Sequence, residues 1–351
     1  MRNSTPQLHY CIHNCLSQAI SREGSKPLLR TMIQHQLHAS IQFLLQFYYI
    51  FKPSIPAGLR FALRHYYAIP LKWAVAATWP INLASLGAPR SWPGWPDGKR
   101  FAFVLSHDVE GRKGLERCRN LAEMEMRLGF RSSYNFVPEG EYATPAELRS
   151  YLMKNGFEVG VHDLHHDGSL YESKGVFDQS ALKINRYLEE WNAVGFRSGF
   201  MRHQLDWISR LKIRYDASTF DSDPFEPQPD GMKTIFPFWV HRADGSAYLE
   251  MPYTLPQDST LFLVLREKSN DVWKRKLDWI AEHGGMAFMI VHPDYMAFDG
   301  QPTSSEYRAE LYQDFLEYVQ KRYHDTAWFA NPCDVEQYVR QRQPPETLVR
   351  R

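Results

Sequence analysis

The sequence predicts an α/β fold in which a parallel sheet closes, or nearly closes, into a barrel, preceded by a basic, mainly helical N-terminal extension. Two observations carry this expectation. From Lys99 onward, short apolar runs alternate with longer amphipathic stretches, the pattern of repeated β-α units. Charge also divides the chain: residues 1–99 hold ten Lys or Arg against two acids, Glu23 and Asp97, whereas the remainder holds 31 against 38. With 351 residues, 44% of them hydrophobic and 23% charged, the chain has room for one barrel plus an extension and excludes a disordered or fibrous class.

The extension, residues 1–97, is aromatic as well as basic. Residues 37–51 are apolar at most positions, and residues 57–73 interleave Arg, His and Lys with aromatic and aliphatic side chains. The longest apolar stretch, residues 41–51, is too short to span a bilayer. Two readings remain open: a basic amphipathic helix lying on an anionic membrane, or a helical layer packed on the main domain. Residues 1–25 are polar, without the apolar core of a signal peptide. The four cysteines, Cys11, Cys15, Cys118 and Cys333, have no zinc-finger spacing. A cytoplasmic location, peripheral at the inner membrane face, is the expectation. The segment 87–98, GAPRSWPGWPDG, is dense in Pro and Gly and predicts a boundary before a barrel over 98–340 and a tail over 341–351.

Within the barrel the strand candidates are residues 101–106, 132–136, 157–161, 195–197, 214–218 and 286–291. Thr144-Pro145-Ala146-Glu147 has the form of a capping box with Pro at the first helical position, opening a helix that ends near Asn155-Gly156. A helix over 271–283 should stop at Gly284-Gly285.

Chemistry gathers where these apolar runs end. The first closes in His107, Asp108 and Glu110; residues i and i+2 of a strand share a face, so Asp108 and Glu110 can look into one site at the carboxyl end of the sheet. The third is followed by His162 and His166, four residues apart, a spacing of one helical turn that lets two imidazoles meet one cation. The fourth ends at Arg197, which can orient a carboxylate and lower its pKa. The last ends at His292, a candidate general acid because imidazole titrates nearest neutrality. Residues 221–227 concentrate acids and prolines and read first as a surface loop; Trp207, Trp239 and Tyr253 read first as core and second as sugar platforms. No nucleic-acid module is present in the pattern.

This set resembles the polysaccharide deacetylase family, the NodB-homology or carbohydrate esterase family four domain, over roughly residues 99–335. Ser106-His107-Asp108-Val109-Glu110 is similar to its first motif, His162-Asp163-Leu164-His165-His166 to its histidine motif, and Phe196-Arg197-Ser198-Gly199 to its arginine motif. Tyr215-Asp216-Ala217-Ser218 and Ile290-Val291-His292-Pro293 resemble its last two. Glu110 stands where the family usually has Asp, Asp163 where it has a hydroxyl residue, and Ser198-Gly199 where it has prolines.

The resemblance implies a distorted (β/α) barrel and a metal-dependent deacetylase acting on an N- or O-acetylated saccharide, polymeric or lipid-linked. It implies a divalent cation, zinc first and cobalt, nickel or manganese next, on Glu110, His162 and His166. Asp108 would then be the base, Arg197 its support, and His292 the acid, tuned by Asp216. A second register makes Asp108 the metal ligand and His107 the base. Two other functions stay open: hydrolysis of a C–N bond in a small cyclic amide, and saccharide binding without catalysis.

Overall fold

Residues 57 onward form one compact unit, and the computed structural model describes residues 57–345 except Ser91 and Pro229. The apolar segment 37–51, and every other expectation for residues 1–56, lies outside the described residues, as does the end of the tail, 346–351.

In chain order the elements are α1 (Ala57–Ala74), β1 (Phe101–Val109), α2 (Arg112–Arg127), β2 (Ser133–Phe136), α3 (Ala146–Lys154), β3 (Glu158–His162), α4 (Lys174–Glu190), β4 (Gly195–Arg197), α5 (Leu205–Ile208), β5 (Tyr215–Asp216), β6 (Phe238–His241), β7 (Ala247–Glu250), α6 (Asp271–His283), β8 (Met286–Val291), β9 (Met296–Ala297), β10 (Tyr307–Arg308), α7 (Glu310–Tyr323), β11 (Ala327–Ala330) and α8 (Pro332–Arg342).

A nine-stranded sheet runs β11-β1-β2-β3-β4-β5-β7-β6, with β8 also paired to β1. β11 takes residues 101–104 of β1 and β2 takes residues 106–109, while β8 runs along residues 102–107. Every pairing in this sheet is parallel except β6 with β7. The chain beyond β7 then turns to β8: the N–H groups of Thr254 and Leu255 both donate to the Phe288 carbonyl, and Leu255 bridges Met289. The sheet thereby curls into a distorted (β/α) barrel. All nine residues of β1 are buried, as expected of a parallel strand covered on both faces.

All six predicted strands form, the fifth shortened to Tyr215–Asp216, and α6 stops at Gly284, whose φ of 72° is the left-handed C-cap. Two departures have physical causes. The capping box at Thr144 does not form: Pro145 takes the N-cap place with an extended ψ of 134°, so Thr144 stands one residue outside the helix. The segment 87–98 is irregular but is no linker, because the compact unit already begins at Ala57. Trp95 is buried there, its indole N–H donating to the Gly284 carbonyl at 2.7 Å, with Trp92 edge-on at 4.9 Å. And α1 packs on the barrel through Phe61 and Ala68, with the His65 Nδ1 2.7 Å from the Val264 carbonyl.

Candidate active site

The site lies past the carboxyl ends of β1, β3, β4 and β8. Alternation along β1 sends neighbouring side chains to opposite faces. Asp108 faces the site, within 3.6 Å of the Arg197 Nε and 4.0 Å of the His162 Nε2, and accepts from the Asn135 amide at 3.1 Å. His107 faces away, its Nε2 2.7 Å from Glu125 in a buried group with Tyr312 and Ser132. The register that made His107 the base is thereby corrected: its ring lies on the wrong side of the strand.

Burial alone would raise the Asp108 carboxyl, but Arg197, His162, His292 and the Asn135 hydrogen bond outweigh it and hold the group below its ordinary value. Arg197 is itself buried and anchored, one N–H donating to Ser106 Oγ at 3.1 Å and the guanidinium lying over the Phe288 ring.

Glu110, just beyond β1, is held at both backbone and side chain. Asp294 accepts from the N–H groups of Glu110, Gly111 and Gly114 at 2.9, 2.8 and 3.1 Å, capping α2 from across the site, since Gly111 at the N-cap has no side chain to do so. The Tyr295 hydroxyl donates to Glu110 Oε2 at 2.5 Å. The other oxygen stands 3.2 Å from the His166 Nε2 and 3.8 Å from the His292 Nε2. Against the upward push of burial, His166, His292 and Tyr295 keep the Glu110 carboxyl well below the usual range.

His162 closes β3, and its Nδ1 meets the Arg197 carbonyl at 3.1 Å, which aims Nε2 into the site. That Nε2 is buried without a hydrogen-bond partner among the described residues. Burial lowers the imidazole pKa, favouring the neutral ring a metal requires. His166 arrives by a different route from the helical turn expected of its spacing. Residues 163–168 form a loop, with Asp163 and His166 in the left-handed region at φ 58° and 55°. Asp163 fixes this loop, accepting from Leu164 N at 2.6 Å and Gly199 N at 3.2 Å. Gly199 approaches closely: a Cβ there would lie 2.5 Å from the Asp163 carboxylate and 2.9 Å from the His166 ring, so a larger residue would have to displace one of them. The two imidazole rings are 4.7 Å apart, and Phe200 covers His166 at 4.5 Å.

Ligand atoms of Glu110, His162 and His166 all lie within 4.8 Å of one another. Two nitrogens and one carboxylate oxygen, one of the nitrogens buried and unpartnered, fit a divalent cation with a position left open for water or substrate.

His292 follows β8 on the other side of Glu110. Its Nδ1 is 2.6 Å from Asp258, whose other oxygen accepts from the His292 N–H at 2.8 Å and the Tyr307 hydroxyl at 2.9 Å. Burial pulls the His292 pKa down, but Asp258, Glu110 and Asp108 push it up to about 10. Asp216 does not tune this ring, which corrects the sequence expectation. Its carboxyl accepts from Ser218 Oγ at 2.7 Å and shares a buried pair with Glu250, its register partner on β7. Asp258 takes that place. Sequence reasoning missed it because Asp258 lies 34 residues before His292, with no motif around it; Asp294 and Tyr295 stood in plain view beside His292 and went unread.

The acidic segment 221–227 is not a plain surface loop. Asp221 is buried against Lys276 at 2.6 Å, and the Tyr253 hydroxyl bridges Asp223 at 3.0 Å and Glu226 at 2.6 Å. Burial and the neighbouring Glu226 raise Asp223 to about 8. Trp207 stacks on Tyr171 at 6.0 Å and Trp239 donates to the Gln343 carbonyl, so both serve packing.

No family model and no curated protein matches the chain. Solved structures do. A protein assigned as a polysaccharide deacetylase from Mycobacterium smegmatis superimposes with a TM-score of 0.56 at 16% identity, over 76% of this chain and 98% of its own. The PuuE allantoinase superimposes with a TM-score of 0.56 at 15% identity, over 77% of this chain and 100% of its own. The chain therefore carries the polysaccharide deacetylase fold, the distorted (β/α) barrel expected from its motifs.

Proposed function

We propose that this protein is a metal-dependent hydrolase that removes an acetyl group from an N- or O-acetylated saccharide. The observation that carries the reading is the placement of Asp108 and His292 on either side of the Glu110, His162 and His166 cluster. Glu110, His162 and His166 would hold the cation, zinc first among candidates, which when bound brings the pKa of water down to roughly 7 and polarises a carbonyl. Asp108, ionised and braced by Arg197, accepts the proton of the attacking water. His292 is oriented through Nδ1 by Asp258 and presents Nε2 to the leaving amine or alcohol, to which it donates a proton. Desolvation strengthens each of these charge interactions, since Asp108, His162 and His292 are all buried.

The test is acetate release from acetylated chitooligosaccharides and acetylated xylan by purified full-length protein, with chelator and then with added Zn, Co, Ni or Mn. Metal-dependent release supports the reading. A folded protein that neither retains any of these metals nor melts higher in their presence has lost the function and binds saccharide at most.

A second reading, C–N hydrolysis of a small cyclic amide, is favoured by the equal TM-score to the allantoinase. Allantoin assayed in parallel separates the two.

A further inference from the structure

A glutamate that meets a cation can offer it one carboxylate oxygen or both, and the choice sets how many ligands the cation has and hence which cation fits. Around Glu110 the two oxygens have different company. The imidazole nitrogens meet Oε1, His166 Nε2 at 3.2 Å and His292 Nε2 at 3.8 Å. Oε2 accepts the Tyr295 hydroxyl at 2.5 Å, the length of a hydrogen bond to an ionised oxygen.

Tyr295 is in turn held in place. Its ring meets Phe61 of α1 edge-on at 5.5 Å and lies 5.1 Å from the His292 ring. It directly follows Asp294, whose carboxylate accepts from the N–H groups of Glu110, Gly111 and Gly114. A Cβ at Gly114 would overlap that carboxylate, so the approach depends on glycine there. Consecutive residues thus grip Glu110 twice, Asp294 by the backbone and Tyr295 by one oxygen of the side chain. For Glu110 to give both oxygens to a cation, Oε2 would have to leave Tyr295 and forfeit a charge-assisted hydrogen bond.

We propose that Tyr295 is a positioning residue that restricts Glu110 to ligation through Oε1 alone. The cation then meets two imidazole nitrogens and one carboxylate oxygen, a set that suits four-coordinate zinc or cobalt better than manganese, which favours more oxygen ligands. Phe61 makes helix α1 part of this arrangement, because it braces the ring that carries the hydroxyl. The inference rests on the metal-binding part of the reading above and not on the identity of the substrate.

Chelator-stripped full-length protein is titrated calorimetrically with Zn, Co and Mn, and the cobalt complex is examined by visible absorption, which is intense for four-coordinate cobalt and weak for six-coordinate. The wild type should give the intense spectrum. Tyr295→Phe keeps the ring and frees Oε2, so its cobalt spectrum should weaken. Its zinc affinity should fall by about 10- to 100-fold while manganese affinity holds or rises, narrowing the preference for zinc by at least about tenfold. A merely structural role for Tyr295 would instead lower the affinity for every metal alike and leave the spectrum of the bound cobalt unchanged. Either that result, or a variant with wild-type spectrum and preference, overturns the proposal, as does a wild-type spectrum of the weak, six-coordinate kind. The wild-type spectrum decides alone if the variant does not fold. A wild type that binds none of the metals overturns the proposal together with the metal-dependent reading. The expected spectrum without acetate release from any saccharide overturns the hydrolase reading and leaves the role of Tyr295 standing.

Discussion

Asp108 and Asp223 lie at the same end of the barrel, one at the end of β1 and the other beyond β5, and are 3% and 4% exposed, yet their carboxyls are driven in opposite directions. Around Asp108 stand Arg197, His162 and His292. Around Asp223 stand Glu226 and Asp221, with Tyr253 donating a hydrogen bond. Equal burial imposes a similar desolvation penalty; the company each group keeps decides its charge. One side of the site is thus built to hold ionised carboxylates beside cations, the other to hold protons between acids.

The largest test of this contrast removes a charge from the ionised side. Asp108→Asn should cut turnover by about 100- to 10,000-fold while metal content is retained, measured by acetate release and by metal analysis of the purified protein. Wild-type activity in that variant would remove Asp108 from the mechanism.

Next comes Asp294, which holds the backbone of Glu110 and touches no imidazole ligand. Asp294→Ala should weaken metal affinity by about 10- to 100-fold, as loss of a supporting partner usually does, read by calorimetric titration of the chelator-stripped protein. Unchanged affinity would mean that Tyr295 alone suffices to place the Glu110 carboxylate.

On the protonated side, Tyr253→Phe deletes the hydroxyl between Asp223 and Glu226 and should cost about 1–3 kcal/mol, the usual penalty for a buried polar group left unsatisfied, measured by urea unfolding. An equally stable variant would show that the two acids share their proton without help.

The smallest effect is a slope. Folded Asp223 keeps its proton up to about pH 8, whereas an unfolded aspartate loses it near about 3.9. Between those values the folded state binds more protons, so its stability falls as pH rises. Asp108 has the opposite sign: ionised below its ordinary value in the fold, it stabilises at neutral pH and loses that contribution as pH falls through its folded pKa. Asp223→Asn should therefore match the wild type near pH 4 and gain on it toward pH 8, by at most about tenfold in the folding constant per pH unit. Parallel unfolding curves across that range would break the comparison.

What was legible in the sequence is what a strand end makes abrupt. Asp108, Glu110, Arg197 and His292 follow apolar runs directly, so their place at the carboxyl edge could be read from local pattern. What was not legible depends on distant partners. Asp258 meets His292 only once the chain after β7 has turned along β8, and Asp216 is turned toward Glu250 by a register that no local pattern encodes. Strands β6, β7 and β11 were missed as well. Helix α1 was anticipated as basic and helical, but its two apolar faces became distinct only when one of them was covered.

The Asp163–Gly199 contact has a consequence for how such sites vary. Asp163 and Gly199 are 36 residues apart in the chain, yet their close approach couples the histidine segment to the arginine motif, because a side chain at 199 must displace the carboxylate at 163 or the His166 ring. A larger residue at 199 is accommodated most easily when 163 becomes smaller. Chains descended from this one should therefore vary at these two positions in pairs, and a transplant of the histidine segment into another barrel will succeed only if the glycine travels with it.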